Sequence, residues 1–311
     1  MIKNFIANEK LNGVFLIRKE KGVTSHDVVF GLRRILKDKQ VGHVGTLDPL
    51  AEGLLVCLVG ESVKLSDYLM GADKTYRLQM KLGVETDTWD ITGKTLKTSD
   101  MFVAENEWLE AIESLSGVQK LPIPLYSAKK VDGKKLYEIA RKDNTLDNFE
   151  GPEKDMKFWD IRVVDMKFPN ATVEFSCSKG SFVRSWIYIL GKRLGVGATM
   201  TGLERIAIGG YRVSDAVTLS ELKEKKDFST NQNSSFFLSP WQALKDRSVL
   251  ELEFSEAEKL KNGLVSYSLS KRIRDLGFFG EIFCFFNRQL RGILSVSDTI
   301  EVKRIFVNPS H

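Results

Sequence analysis

Three cysteines, three histidines and seven prolines in 311 residues leave several kinds of chemistry without material. Cys57, Cys177 and Cys284 lie far apart with no Cys-x-x-Cys spacing. That excludes a disulfide framework and a thiolate cluster, and all three are expected to fill core in a reducing cytoplasm. His26, His43 and His311 are dispersed, with no Cys, His and carboxylate cluster at ligand spacing, so no metal site is expected. No apolar run approaches the ~20 residues that cross a bilayer. The first ten residues hold Lys3, Glu9 and Lys10 and no continuous apolar stretch, so neither a signal sequence nor a membrane partner is expected. Nor does one sign of charge dominate. A net charge of +5 admits a polyanionic partner only through a local basic stripe.

What is present is an ordinary globular balance, 42% hydrophobic and 28% charged, in a chain long enough for about two domains. The most informative stretch is Gly42-His43-Val44-Gly45-Thr46-Leu47-Asp48-Pro49-Leu50-Ala51-Glu52-Gly53. Pro49 fixes its own φ and disfavours helix at Asp48. The apolar run at residues 54–59, bounded by Gly53 and Gly60, reads as a buried strand. One carboxylate therefore sits on a stiff loop at the end of a core strand. On residue type alone, the same Asp could simply bond nearby backbone in a turn.

Residues 14–18 read as a strand. Ser25 is expected to cap a helix whose stripe is Val28, Val29, Leu32, Ile35 and Leu36. Residues 74–82 alternate, with Tyr76, Leu78, Met80 and Leu82 on one face and Thr75, Arg77, Gln79 and Lys81 on the other. Trp108, Ala111, Ile112 and Leu115 mark a second amphipathic helix, closed by Gly117. From 120 to 155 the pattern breaks between Pro122, Pro124 and Pro152, with a short helix expected around Leu136, Tyr137, Ile139 and Ala140. Strand alternation returns at Val173, Phe175 and Cys177, and a helix opens near Arg184. Residues 226–239 read as a linker. A small C-terminal unit follows, with a short helix at 255–262, strands at 280–286, 290–296 and 300–307, and a hairpin turn at Asn287-Arg288-Gln289.

The string around Asp48 closely resembles the active-site motif of the TruB-type pseudouridine synthases, which isomerise one uridine in the T-loop of tRNA. Three further stretches resemble that family's motifs in the same order: Asp73-Lys74-Thr75-Tyr76-Arg77 with residues 82–88; residues 124–129 with residues 133–141; and residues 177–185. The resemblance covers roughly residues 10 to 220. It implies an α+β pseudouridine synthase fold, with a mixed, largely antiparallel central sheet flanked by helices. The implied catalytic domain is residues 1–230, with a thumb-like RNA-gripping insertion at 120–155, and residues 245–311 resemble a PUA-type, β-barrel-like RNA-binding unit. The implied substrate is position 55 in the T-arm of tRNA. No cofactor and no obligate protein partner are implied, and the chain is expected to be a cytoplasmic monomer.

By the same resemblance Asp48 is the nucleophile, Arg184 its partner, and Tyr76 both a stacking surface for the flipped uracil and a candidate base for the C5 proton. His43, Phe182 and Leu203 are implied to hold the substrate. A carboxylate in a site that excludes water needs a cation to keep it ionised. A cation in the first turn of a helix, where the dipole disfavours it, suggests a carboxylate partner. Without the resemblance, Tyr76 reads equally as a core tyrosine, Arg184 as a solvent-facing arginine and His43 as a loop histidine. Lys129, Lys130, Lys134, Lys135 and Arg141, with Tyr126 and Tyr137 nearby, suit a single-stranded RNA loop and also suit a solvated face. Three positions depart from the family pattern: Phe182 replaces a common tyrosine, Glu204 a more usual basic residue, and Glu20 a proline. Two other readings stand beside the enzyme, namely a non-catalytic tRNA-binding or tRNA-folding protein and the guide-RNA-dependent branch of the superfamily. A glycoside hydrolase is disfavoured, because that chemistry usually needs two placed carboxylates.

Overall fold

The computed structural model describes residues 11–127, 130–131, 134–135, 152–225 and 234–306. Its first strands are β1 (Gly13–Lys19), β2 (Val41–Val44), β3 (Ala51–Val59) and β4 (Lys74–Leu82). Two short hairpins, β5 (Val84–Thr86) with β6 (Thr95–Thr98) and β8 (Lys130–Val131) with β9 (Lys134–Lys135), and two further strands, β7 (Gly117–Pro122) and β10 (Glu153–Lys167), follow in the middle of the chain. Then come β11 (Asn170–Cys177), β12 (Ala198–Ile208), β13 (Tyr211–Arg212) and β14 (Phe237–Leu238). Ten of these strands form one sheet, ordered β14-β1-β3-β12-β4-β11-β10-β7, with β2 beside β3 and β13 beside β12. Among the described residues of this sheet, only β3 and β12 pair as parallel strands. The other pairings are antiparallel, so the sheet is mixed and largely antiparallel as expected.

Period-two alternation decides how β4 sits. Tyr76, Leu78, Met80 and Leu82 are buried, while Arg77 and Gln79 face solvent. The buried face of the sheet receives Trp186, Ile187 and Leu190 of the helix Val183–Arg193, and Trp186 stacks on Phe175 at 5.3 Å. Strand β3 has no alternation because it is covered twice. The helix Ser25–Leu36 packs Val28, Val29 and Leu32 on Leu55 and Cys57, while Leu54, Val56 and Leu58 meet Phe283, Phe285 and Ile293 of the C-terminal unit. A strand buried on both faces must be apolar throughout.

The C-terminal unit is a four-stranded sheet of β15 (Val249–Glu251), β16 (Gly280–Phe286), β17 (Gln289–Val296) and β18 (Ile300–Ile305). Leu260, Leu269 and Ile273 from two helices cover Ile282, Cys284 and Leu294. The expected hairpin is present. Asn287 and Arg288 both take positive φ, 51° and 59°, which suits the right-handed twist of the strands they join.

Four local expectations differ. Thr24, not Ser25, caps the first helix, in a reciprocal capping box with Asp27. Residues 120–122 and 153–155 are not irregular but pair as the ends of β7 and β10. The supposed linker ends in β14, whose Phe237 packs on Phe15 at 4.8 Å between ring centroids. The helix Tyr267–Asp275 was hidden because only Leu269 and Ile273 mark its buried face among basic residues. The helix expected around Leu136 lies outside the described residues. Among those described, no helix is long and apolar enough to cross a membrane.

The parallel pairing of β3 with β12 requires a glycine. At Gly53 φ is +97°, and a Cβ there would lie 2.5 Å from the Arg205 carbonyl oxygen and 2.9 Å from its nitrogen. Gly195 has φ +72° and open space around it. Gly195→Ala should cost the conformational strain alone, about 1–2 kcal/mol. Gly53→Ala adds a backbone overlap and should cost clearly more, as read by urea unfolding of the two variants.

Candidate active site

The loop that enters β3 is held by backbone and one hydroxyl. Ser25 Oγ accepts from Leu47 N at 2.8 Å and donates to Leu47 O at 3.0 Å. Gly22 N donates to Pro49 O at 2.7 Å, and Ala51 N to Asp48 O at 3.0 Å. Held this way, Asp48 forms an ion pair with Arg184, Oδ2 to Nη2 at 2.8 Å. Arg184 is buried in the first turn of its helix and donates to Tyr126 O at 3.0 Å and Thr88 O at 3.3 Å. These two carbonyls fix the direction of the guanidinium, so the carboxylate meets an oriented partner. The expectation of a closed site needs correction, because the Asp48 side chain is 43% exposed. The pair stands at a mouth and not in a dry interior.

Behind that mouth is a cavity of about 610 Å³ lined by Asp48, Arg184, Tyr76, Phe182 and Leu203. Five of the six residues implied as catalytic or substrate-holding thus converge on one space. Burial pushes the Tyr76 phenol above its ordinary value, and the neighbouring Arg205 guanidinium pulls it back in part. His43 is not in the lining. It lies on β2 with Nε2 3.3 Å from Thr46 Oγ1, and Thr46 does line the cavity. Burial, and then the Arg205 charge, lower the pKa of His43, so its ring is neutral at pH 7.

Glu204 is turned away. It follows Leu203 on β12, so alternation sends it to the opposite face, where it pairs with Arg77 at 3.3 Å. A basic residue at that position would face the same way. The lysine cluster is not gathered at this cavity by any described contact. Lys130 pairs in register with Lys135, and Val131 with Lys134, across the β8–β9 hairpin. The side chains of Lys130, Lys134 and Lys135, and the whole of Lys129 and Arg141, lie outside the described residues.

Sequence reasoning missed three buried cations. Arg205, only 1% exposed, donates from Nε to Leu54 O and from Nη2 to Gly45 O, each at 2.8 Å. Lys74 is buried and donates to Met70 O at 3.0 Å and to Ala72 O; burial, then Arg205, lowers its pKa. Lys19 donates to Val23 O at 2.6 Å and Glu20 O at 3.0 Å. Arg205 was findable, since it lies two residues from Leu203 and so shares its strand face. Lys74 lies two before Tyr76 by the same rule.

Lys19 has a measurable consequence. Burial lowers its pKa to about 8, although Asp48 and Glu52 oppose the shift. Its ordinary value is 10.5, so between pH 8 and 10.5 the unfolded chain binds more protons than the folded one. Stability from this group therefore rises with pH across that window and is lowest below pH 8. Relative to Lys19→Met, the wild type should gain up to about 3 kcal/mol between pH 7 and pH 10. Urea unfolding across that range measures it, and a constant difference would mean that Lys19 is not depressed.

The sequence comparisons with known proteins agree on one family. The N-terminal domain of the TruB family pseudouridylate synthases matches residues 33–183. A protein of Bdellovibrio bacteriovorus named tRNA pseudouridine synthase B is 41% identical over 266 residues, which is 85% of this chain and 84% of that protein. Proteins of the same name from Clostridium tetani and Staphylococcus aureus are 37% and 39% identical, over 82% and 72% of this chain and 85% and 75% of theirs. Among solved structures, a chain of a Cbf5-Nop10-Gar1 complex superposes with a TM-score of 0.69 at 19% identity, over 95% of this chain and 85% of that one, and shares the fold. On the strength of its sequence relatives, with Asp48, Tyr76 and Arg184 gathered about one cavity, this chain belongs to the TruB family of pseudouridylate synthases.

Proposed function

We propose that this chain converts a uridine in the T-loop of tRNA, at position 55, to pseudouridine, with Asp48 as the nucleophile. The observation that carries the reading is the Asp48–Arg184 contact of 2.8 Å at the mouth of a cavity holding Tyr76, in a chain of this family. The relatives' name supports tRNA as the substrate class. A cavity of about 610 Å³ is of the size that takes a single nucleotide and far too small for a stacked stem, which supports a reaction on a base flipped out of the RNA. The 43% exposure of Asp48 leaves the nucleophile open to an arriving nucleotide, which then covers it.

The reaction is an isomerisation. The N1–C1′ bond breaks, the uracil turns, and a C5–C1′ bond forms. The C5 hydrogen leaves as a proton and N1 gains one, so no atom or electron is gained or lost and no cofactor is required. Tyr76 and Leu203 present flat and apolar surfaces to the ring, Phe182 stacks without a hydroxyl, and His43 acts on the nucleotide through Thr46. Residues 1–230 carry this chemistry. The segment at 120–155, with Lys129, Lys130, Lys134, Lys135 and Arg141, grips the T-arm, and residues 245–311 add a further RNA-binding surface. The chain works as a monomer without a protein partner.

Tritium release from a T-arm hairpin carrying [5-³H]uridine, with the purified protein alone, tests the reading. Wild type should release tritium, and Asp48→Asn should lose at least about 10⁴-fold in rate. Its hairpin affinity should stay within about threefold, under 0.7 kcal/mol. Undiminished turnover by Asp48→Asn would remove the nucleophile assignment. Tight binding without turnover by wild type would favour a tRNA-folding protein, and activity only with added proteins and guide RNA would favour the guide-dependent branch.

The grip has its own test. Replacing Lys129, Lys130, Lys134 and Lys135 by Ala should weaken hairpin binding and flatten its salt dependence by about 0.7–0.9 in log–log slope for each phosphate that is no longer neutralised. Single-turnover rates at saturating RNA should change little. Unchanged slope and affinity would make these lysines a solvated face.

A further inference from the structure

Arg205 has more work than a strand residue needs. It is almost wholly buried, and among the described residues no carboxylate pairs with it. Its Nε and Nη2 hold the carbonyls of Leu54 and Gly45, which flank the Asp48 loop on either side. On β12 it stands directly opposite Tyr76 of β4 in the antiparallel register, and against the larger upward push of burial its charge lowers the pKa of the Tyr76 phenol. It also lines the cavity, with Nη1 3.3 Å from where a Cβ on Gly45 would lie. One rigid, permanently charged group therefore holds the loop of the candidate nucleophile and lines the same cavity as the candidate base. A buried cation satisfied only by neutral oxygens is unfavourable unless negative charge develops beside it.

We propose that Arg205 is a positioning residue that carries the charge of the Tyr76 oxygen during a proton exchange, in which the phenol gives its proton to N1 and then takes one from C5. The proposal rests on the isomerase reading and extends it. A phenol is protonated at neutral pH and cannot accept a proton as it stands. When the N1–C1′ bond breaks, the electron pair stays on N1, and the phenol can supply that nitrogen with a proton. The resulting phenolate, held by Arg205, is then the base for C5 once the C5–C1′ bond has formed. One proton leaves the tyrosine, one returns, and the count matches the conversion of uridine to pseudouridine. The other titratable or charged groups of the cavity are Asp48 before β3, Arg184 on its helix, Cys177 on β11 and Lys74 on β4 itself, with Asp67, Lys154 and Lys179 also in the lining. Lys74 is already committed to carbonyls of its own turn, Arg184 to Asp48 and Lys154 to Gly180 O, whereas Arg205 stands opposite Tyr76 in the register.

Two measurements test this. In the first, Arg205→Lys, which cannot reproduce the fork, is compared with wild type and Tyr76→Phe in single turnovers on hairpins carrying [5-¹H]- or [5-²H]uridine. Arg205→Lys should slow the reaction by about 100-fold or more. Its primary isotope effect should exceed that of wild type, because removal of the C5 proton becomes limiting. In the Tyr76→Phe background the same substitution should have little further effect. An isotope effect equal to wild type, or a full additional loss in the Tyr76→Phe background, would reduce Arg205 to a clamp on the Asp48 loop. The second measurement needs no substrate. A fluorinated tyrosine of low intrinsic pKa at position 76 is titrated by ¹⁹F NMR, with Arg205 and with Arg205→Lys. Its ionisation should move up by about one unit or more in the variant. An unmoved titration overturns the proposal whether or not the protein isomerises uridine. A moved titration in a protein that releases no tritium would instead overturn the functional reading.

Discussion

The site depends on where β12 lies. It runs parallel to β3 on one side and antiparallel to β4 on the other, in registers that set Arg205 against Gly53 and against Tyr76. Those two neighbours deliver the Asp48 loop and the phenol to the same space. The parallel pairing cannot be made by a hairpin; it needs a long connection between β3 and β12. That connection contains β4, β11 and the helix Val183–Arg193, which supply Tyr76, Cys177 and Arg184 to the cavity. One register constraint thus gathers residues more than a hundred positions apart in sequence. Gly53 is the point where it is most exposed to substitution, since no side chain fits between the two backbones.

The same geometry explains why the C-terminal unit is packed and not tethered. Strand β3 presents Leu54, Val56 and Leu58 to Phe283, Phe285 and Ile293. Left uncovered, those large apolar side chains would form a surface patch beside the sheet that carries the candidate nucleophile. Covering them stiffens β3 from behind, while the helix Ser25–Leu36 stiffens it from in front and lends Ser25 to the loop. The candidate nucleophile therefore sits at the end of a strand held on both faces. Such a loop can be exposed without being loose, which suits a carboxylate that must wait for a macromolecular substrate.

Much of this was legible in the chain. The alternation at 74–82 placed Tyr76 and Leu78 inward, and the continuous apolar run at 54–59 marked a strand covered twice. The four ordered motifs pointed to Asp48, Tyr76, Phe182 and Arg184, and the wider resemblance to Leu203, all of which line one cavity. What was not legible had a common cause: charged residues that bond backbone carbonyls. Lys19, Lys74 and Arg205 look like surface residues in a propensity reading, because their partners are carbonyl oxygens that every residue carries. Helix Tyr267–Asp275 was missed for a related reason, since two apolar residues among basic ones do not announce a period. His43 shows the opposite failure. Its motif position was informative, but its place behind Thr46 depends on the turn at Gly45, where φ is +73°.

The balance of charge around the cavity follows from its buried cations. Lys74, Arg184 and Arg205 are buried in its wall, whereas its carboxylates, Asp48 and Asp67, are at least partly exposed. Holding cations out of water with only carbonyl partners is costly, and the lowered pKa values of Lys19 and Lys74 express that cost directly. A fold stabilised for its own sake would replace such groups with apolar ones of similar size. Their retention makes sense where a polyanion arrives at the mouth and the reaction places negative charge inside. A modest overall charge of +5 is no obstacle to such a partner, because the positive groups that matter are concentrated in one wall and not spread over the surface. The cations that bond carbonyls in the free protein are already oriented, so charge developing in the cavity meets fixed donors, and little reorganisation remains to be done at the moment of reaction.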